Sequence, residues 1–413
     1  MINPGIHVLL VHQAFAGLNE PGGTRHYEFA RHCAAQGHEF TIIASNLSYL
    51  TGKSTIQKAG LVEETDLDGV KVLRAYTYPS LHRSFLWRVV SFLSFMVMSV
   101  AASLRCSNID LVMGTSPPIF QAVSAWLISK LRRRPFLLEI RDLWPEFAIG
   151  MGVLHNPMLI RLSRWLERFL YARATHILVN SPAYRDYLVE RGVSPEKITL
   201  IPNGVDTGMF DPLGRSDELR NSWGGDGKFL VTYAGALGMA NDIPTLLRAA
   251  ARLRNEADIH FLLLGDGKER LKLESMAREL GLAKVAFAGA IPKALIPKAL
   301  AASDVCIAIL QDIPMFRTTY PNKVFDYMAA GRPTILVIDG VIRKVVEAAG
   351  AGIYVPPGND EALAEAIREL SRNQDKGRAM GQAAREYVVE NFDRRKHADQ
   401  FIELIKSVVP HAI

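Results

Sequence analysis

Short apolar runs alternate with stretches of helical periodicity along this chain, and they do so in two separate series. The first series is His7–Val11, Phe40–Ala44, Val70–Arg74, Leu111–Gly114, Phe136–Ile140, His176–Val179 and Ile198–Ile201, with a helix over Thr24–Gln36 after the first run. The second is Phe229–Ala234, Ile259–Leu264, Val285–Phe287, Val305–Ile309 and Thr334–Val337. Runs that are apolar on both faces and joined through helices specify parallel strands covered on both sides. Between the two series lies the stretch from Pro202 to Pro212, which holds Asn203-Gly204 and reads as a turn-rich junction. A chain of 413 residues is the right size for two domains. The expected fold class is therefore α/β: two doubly wound, Rossmann-like domains facing each other across a cleft, with ligands at the carboxyl ends of the strands.

Composition narrows the setting. Three cysteines, Cys33, Cys106 and Cys306, exclude a disulfide framework, and no Cys/His spacing suits zinc, so a reducing compartment is expected. The stretch Met1–His12 lacks the charged and small-residue regions of a signal peptide, which points to the cytoplasm. The net charge of +6 is unevenly placed: residues 70–175 hold 14 Lys+Arg against 5 Asp+Glu, a local +9. That half suits an anionic partner, whether nucleic acid, phospholipid or a phosphate-bearing substrate. Nucleic acid is disfavoured, because the basic residues are not interleaved with surface aromatics.

The uncharged stretch Val89–Leu104 lies between Arg88 and Arg105. It is short for a membrane span of about 20 residues. At helical periodicity Val89, Val90, Leu93, Met96, Val97, Val100 and Leu104 share one face, and four serines spread over the other. Two readings stand: a crossover helix buried on the sheet, or a helix lying in a bilayer interface. Arg88, Leu93, Val97, Arg105 and the run Arg132-Arg133-Arg134 would face the membrane in the second.

Several motifs carry chemistry. Gly22, Gly23 and Thr24 fall between the first strand and the first helix, where backbone amides can meet an anion or merely form a tight turn. Arg141-Asp142 follows a buried strand, so the two either pair with each other or face a ligand; Asp142 or Glu146 could then steer an acceptor hydroxyl. In Thr318–Pro333, Pro321 suits the first position of a helix, and Lys323 falls in its first turn, an unfavourable place unless an anion is bound. Asp326, three residues on, shares that face; Lys323 on a diphosphate and Asp326 on a ribose is one reading, and a surface ion pair is the other. Asp66-Leu67-Asp68 reads as a solvated hairpin next to Gly69, and no metal site is expected.

Taken together these stretches resemble a retaining glycosyltransferase of family 4, with the GT-B fold, and within it the subgroup that assembles bacterial O-antigen or capsule polysaccharides. The likeness rests on Gly22-Gly-Thr-Arg25, Glu139-Ile-Arg-Asp-Leu-Trp-Pro-Glu146, Ile201-Pro-Asn-Gly-Val-Asp206, Tyr233-Ala-Gly-Ala-Leu-Gly238, Gly265-Asp-Gly267 and Pro321-Asn-Lys-Val-Phe-Asp-Tyr-Met-Ala-Ala-Gly331. The resemblance implies an acceptor-side domain over 1–204, to which a last helix within 394–413 crosses back, and a donor domain over 205–393. It implies that Gly22, Gly23 and Thr24 line the donor diphosphate. In the second domain it implies donor contacts from Gly235, Asn241, Gly265, Arg317, Thr318, Thr319, Asn322 and Lys323, with Ile291 at the uracil and Asp326 at the ribose. Two departures stand out: Thr318 occupies the place of the first Glu of Glu-x7-Glu, and Ala236 and Asn241 replace an Arg and a Lys.

The implied activity is metal-independent transfer, with no cofactor, of a sugar from a UDP-sugar to an acceptor hydroxyl. The sugar would be an N-acetylhexosamine and the acceptor a polyprenyl-diphosphate-linked saccharide. The enzyme would then sit peripherally on the anionic inner face of the cytoplasmic membrane. Lys323, Arg141 and Asp142 would carry the chemistry. The competing reading is a UDP-sugar 2-epimerase, which would turn over UDP-sugar without an acceptor.

Overall fold

A computed structural model describes residues 5–17, 23–48, 52, 54, 55, 60–79, 85–214 and 216–409. Its contacts divide the chain into two compact units. One runs to Pro202 and takes up the chain again from Arg395; the other is Asn203–Arg394.

Among the described residues the first unit holds an eight-stranded sheet: β1 (His7–Val11), β2 (Glu39–Ser45), β3 (Val62–Leu67), β4 (Val70–Ala75), β5 (Leu111–Ser116), β6 (Phe136–Ile140), β7 (His176–Val179) and β8 (Ile198–Leu200). The spatial order is β3-β4-β2-β1-β5-β6-β7-β8, parallel throughout except for the antiparallel β3–β4 hairpin. Every residue of β1, β5 and β6 is buried, as continuous apolar runs require. β1 lies between β2 and β5, in register Val8↔Phe40 and Val8↔Leu111. The chain leaves β1 toward one side of the sheet and β5 toward the other, so the topological switch point lies at the carboxyl ends of these two strands. The helices are α1 (Arg25–Ala35), α2 (Phe85–Ser103), α3 (Ile119–Arg132), α4 (Glu146–Gly150), α5 (Pro157–Arg173) and α6 (Pro182–Glu190).

β3 lies outside the sequence expectation. Its residues Val62-Glu-Glu-Thr-Asp-Leu67 are half polar because the strand is a sheet edge, and Asp68-Gly69, both at positive φ, turn it into β4. Asp66 accepts from the Gly69 amide and Asp68 from the Tyr27 hydroxyl, so both aspartates serve the turn and its packing.

The second unit is a six-stranded, all-parallel sheet among the described residues: β9 (Phe229–Ala234), β10 (Ile259–Leu264), β11 (Val285–Gly289), β12 (Val305–Ile309), β13 (Thr334–Val337) and β14 (Gly352–Tyr354), in the order β11-β10-β9-β12-β13-β14. Its switch point lies between β9 and β12. From Arg395 on, the C-terminal helix Arg394–Val408 belongs to the first unit, where Ala398, Phe401, Ile402, Leu404, Ile405 and Val408 join the core and Phe401 stacks on Phe29 at 5.1 Å.

Helix α2 turns the face that the sequence offers as apolar outward. Ser91, Phe95, Ser99, Ala102 and Ser103 are buried, whereas Leu93, Val97 and Leu104 are 41%, 63% and 74% exposed. The serines tolerate burial because Ser99 and Ser103 donate to the carbonyls three residues back, Met96 at 2.9 Å and Val100 at 2.6 Å. Of the flanking arginines, Arg88, Arg105, Arg133 and Arg134 are exposed. Arg132 is not: its guanidinium donates to the Ser103 and Cys106 carbonyls at 2.8 and 3.1 Å, closing the end of α2. Among the described residues no helix is long and apolar enough to cross a membrane.

Candidate active site

In the second unit the carboxyl ends of β9, β10 and β11 are stitched by backbone bonds, Gly235 N–H to Leu264 O at 2.9 Å and Gly265 N–H to Gly289 O at 2.8 Å. The approach is possible only with glycine. A Cβ on Gly265 would lie 1.8 Å from the Gly235 carbonyl oxygen, and one on Gly235 would lie 2.9 Å from Lys323 Nζ. The helix Asn322–Ala329 begins beside this edge, tied to it by Tyr327. The Tyr327 hydroxyl accepts from Ala234 N–H at 2.9 Å and donates to Ala234 O at 3.0 Å.

Lys323 is half-buried in the first turn of that helix. Its ammonium donates to Tyr233 Oη at 2.9 Å and Asn241 Oδ1 at 2.8 Å, and lies 4.4 Å from the centre of the Tyr233 ring. Both partners are neutral, so the charge is solvated by dipoles and an aromatic face but not neutralised, and burial brings its pKa down to about 7. The surface-pair reading with Asp326 does not hold, since the partners of Lys323 are Tyr233 and Asn241. Asn241, standing where relatives of the resembled family carry a cation, instead positions this one. Such a group is poised to meet an anion at a helix start that no side chain caps.

The neighbouring residues are less uniform. Pro321 is the N-cap and not the first helical residue. Thr319 N–H donates to Phe316 O at 3.3 Å and Pro321 has no N–H, so the amides available there are those of Tyr320, Asn322 and Lys323. Thr318 is half-buried and its hydroxyl donates to Met315 O at 2.6 Å. Arg317 is exposed and paired with Asp312 at 3.0 Å. Ile291 follows the end of β11, on the same sheet edge, and Asp326 is half-buried one turn beyond Lys323.

In the first unit Gly22 lies outside the described residues. Gly23 is exposed with open space where a Cβ would go, and Thr24, the buried N-cap of α1, hydrogen-bonds Glu28. Arg141 follows β6; its N–H donates to Ser116 O at 2.8 Å and its guanidinium to Pro117 O. Asp142 does not pair with it but accepts from the Tyr184 hydroxyl at 3.4 Å. Burial lifts its pKa to about 6, against the pull of Arg141 and Tyr184. Glu146 is held bidentately by Arg164 at 2.8 and 3.0 Å.

The structure adds a buried set absent from the sequence reading. Glu139, fully buried at the end of β6, receives Arg25 Nε at 3.2 Å and the His26 ring, both from α1. Burial pushes this carboxyl up, but His26, Arg25 and Arg141 together outweigh it and bring it down to about 2. Arg25 also donates to Ile201 O at 2.8 Å. Its partners lie 114 and 176 positions away, which is why no local pattern announces them. Among the described residues no group of three or more His, Cys, Asp or Glu side chains could hold a metal.

Two family models cover most of the chain: a glycosyl transferase 4-like domain over residues 22–204 and glycosyl transferases group 1 over 215–387. The chain belongs to glycosyltransferase family 4. Among its relatives, the colanic acid biosynthesis glycosyl transferase WcaI of Escherichia coli is 25% identical over 92% of this chain and 94% of its own. A GDP-mannose-dependent alpha-mannosyltransferase of Mycobacterium tuberculosis is 27% identical over 55% of this chain and 57% of its own. Among solved structures, Anabaena HepE in complex with UDP-glucose superposes with a TM-score of 0.70 at 18% identity, covering 97% of this chain and all of that one. This family 4 glycosyltransferase thus has the GT-B fold and acts in bacterial polysaccharide biosynthesis, and its two units correspond to the two matched models.

Proposed function

We propose that this glycosyltransferase moves an N-acetylhexosamine from a UDP-sugar onto a polyprenyl-diphosphate-linked saccharide, in assembly of an O-antigen or similar polysaccharide, with retention of configuration and without a metal. The observation that carries the donor half is Lys323. A half-buried ammonium with neutral partners, next to uncapped amides and the Gly235–Gly265 edge, is matched to a diphosphate. As the glycosidic bond breaks, negative charge grows on that diphosphate, and a preorganised cation and helix-start amides stabilise it without reorganisation. Asp326, one turn along, meets the ribose. On the acceptor side, Asp142 is the carboxylate oriented toward the attacking hydroxyl and Arg141 holds the adjoining loop.

The lipid-linked acceptor at the inner membrane face rests on a surface. The outward face of α2 continues over α3 and α5, which pack through Phe92–Phe120 at 5.7 Å and Trp126–Phe169 at 4.9 Å. Leu131 of α3 and Met158, Leu162 and Trp165 of α5 are each more than half exposed. Such apolar exposure exceeds the scattered single residues of an ordinary surface, and arginines flank it.

A donor screen tests the reading. Release of nucleoside diphosphate from UDP- and GDP-sugars is followed in EDTA, with a polyprenyl-diphosphate saccharide in anionic vesicles. Turnover is expected with a UDP-N-acetylhexosamine and only when acceptor is present. Preference for a GDP-sugar, or dependence on a divalent ion, would replace the donor or the metal-free chemistry. Turnover of UDP-sugar alone to an isomer would point to an epimerase.

A further inference from the structure

The second unit has a cavity of about 450 Å³ that the donor chemistry does not use. Phe229, Asp304 and Pro333 line it at the amino ends of β9, β12 and β13, opposite the carboxyl edge that carries Gly235. Gly377, Arg378, Arg385 and Glu386 of the helix Gln374–Asn391 form the facing wall. All of its lining lies within Asn203–Arg394. Gly381 lets that helix approach the sheet closely, since a Cβ there would lie 2.2 Å from Gly331 O. Gly377, one turn earlier, is under no such constraint. A Cβ there would meet Pro333 Cγ at 3.6 Å and Leu370 Cδ2 at 4.0 Å, both ordinary contacts. A glycine inside a helix weakens it, so Gly377 forgoes stability and leaves space at the floor of the cavity.

The charges around this space are unevenly matched. Its two carboxylates are engaged: Asp304 by Arg220 at 2.7 Å and Leu230 N–H at 2.6 Å, and Glu386 by Gln382 at 2.9 Å. Arg385 instead donates to backbone carbonyls, Ala329 O at 2.7 Å and Thr207 O at 2.9 Å. Among the described residues no carboxylate comes within ion-pair distance of it, and Asp393 and Asp211 reach it only by longer-range attraction. Its charge is thus solvated but not neutralised, and its fork keeps N–H donors in hand for an oxyanion. Arg332 stands on the same cavity, held by Pro212 O at 2.6 Å and Ser303 O at 3.2 Å. Arg378 has only an exposed pair with Asp375 on its own helix, an interaction worth little. Below the cations the lining is apolar, with Phe229, Pro333 and Leu370, and Leu213 beside them is 91% exposed. The volume falls within the roughly 300–1,000 Å³ of small-molecule sites.

We propose that this cavity binds a small organic anion, a carboxylate or phosphate monoester with an apolar or aromatic body, at a site separate from the donor diphosphate. Arg385 is its principal cation, and the space left by Gly377 takes the body.

The full-length enzyme is titrated by calorimetry with phenyl phosphate, benzoate, inorganic phosphate and phenol. Phenyl phosphate or benzoate should bind, and the tighter of the two names the head group. Inorganic phosphate and phenol should each bind roughly tenfold more weakly or worse, since one lacks the body and the other the charge. Binding should survive Lys323→Met, which separates this site from that of the diphosphate. It should fall roughly tenfold or more in Arg385→Gln and in Gly377→Leu. The second variant fills the cavity and leaves every charge in place. Its melting temperature should not fall, because the new Cβ finds room and the helix loses a glycine. The proposal is overturned if neither aromatic anion binds, if phenol or inorganic phosphate binds as well, or if Lys323→Met abolishes binding. Undiminished binding in folded Gly377→Leu overturns it equally.

Discussion

Lys323 shows how a single side chain can be held in readiness. In the free protein its pKa is about 7, against 10.5 in an unfolded chain. The unfolded state therefore binds more protons between these values, so this residue makes stability rise from about pH 7 to pH 10.5 and lowers it fully below pH 7. An anion reverses the balance, because the ammonium gains a partner. Binding of UDP at pH 8.5 should take up close to one proton, measured as buffer-dependent heat in calorimetry, and uptake should fade toward pH 6. Lys323→Met should abolish the uptake, cost roughly 10²-fold or more in turnover, and leave the apo melting temperature no lower. Undiminished uptake in the variant would assign the proton elsewhere. Glu139 is the opposite case, a charge whose partners are built in. Glu139→Ala strands Arg25 in the core, and loss of one member of such a buried pair costs about 3–5 kcal/mol. A large fall in the denaturation midpoint is expected, and an unchanged midpoint would show that Arg25 finds another anion.

The elements were legible in proportion to their burial. β1, β6, β7, β9, β10, β12 and β13 have the bounds that their apolar runs suggest, because both faces of each are covered. β3 and β14 escaped notice, one as a half-polar edge and the other as three residues beginning with glycine. Lys323 and Asp326 could be singled out because one helix turn carries both. Arg25, His26 and Glu139 could not, since the sheet alone brings them together. α2 is the instructive failure of periodicity: its apolar face was readable, but the direction it faces depends on whether serines can be satisfied inside. That orientation makes a prediction. Vesicles with anionic lipid should capture the protein better than neutral ones. Leu93→Gln with Val97→Gln should release it, while Arg88→Gln or Arg133→Gln should each weaken capture by about 1 kcal/mol, roughly fivefold. Equal sedimentation with and without vesicles would mean that the face meets another surface.

At the scale of the whole molecule, the N-terminal unit is discontinuous. It is completed by the C-terminal helix Arg394–Val408, which sets Phe401 against Phe29 and Phe40. Ending the chain at Asn391 removes six buried apolar side chains from that core, and at about 1.5–3 kcal/mol for each large one the loss rivals the stability of a typical domain. The truncated chain should show one surviving cooperative transition, from the second unit, and UDP should still raise it. Two intact transitions would mean that the helix is dispensable. Because the ribosome makes residues in order, the first unit to emerge is the last that can be finished. For the time it takes to synthesise the whole second unit, the faces of Phe29 and Phe40 that Phe401 covers must wait for the missing helix. Premature termination between the second unit and that helix would therefore spare the second unit and leave the first a substrate for chaperones and proteases.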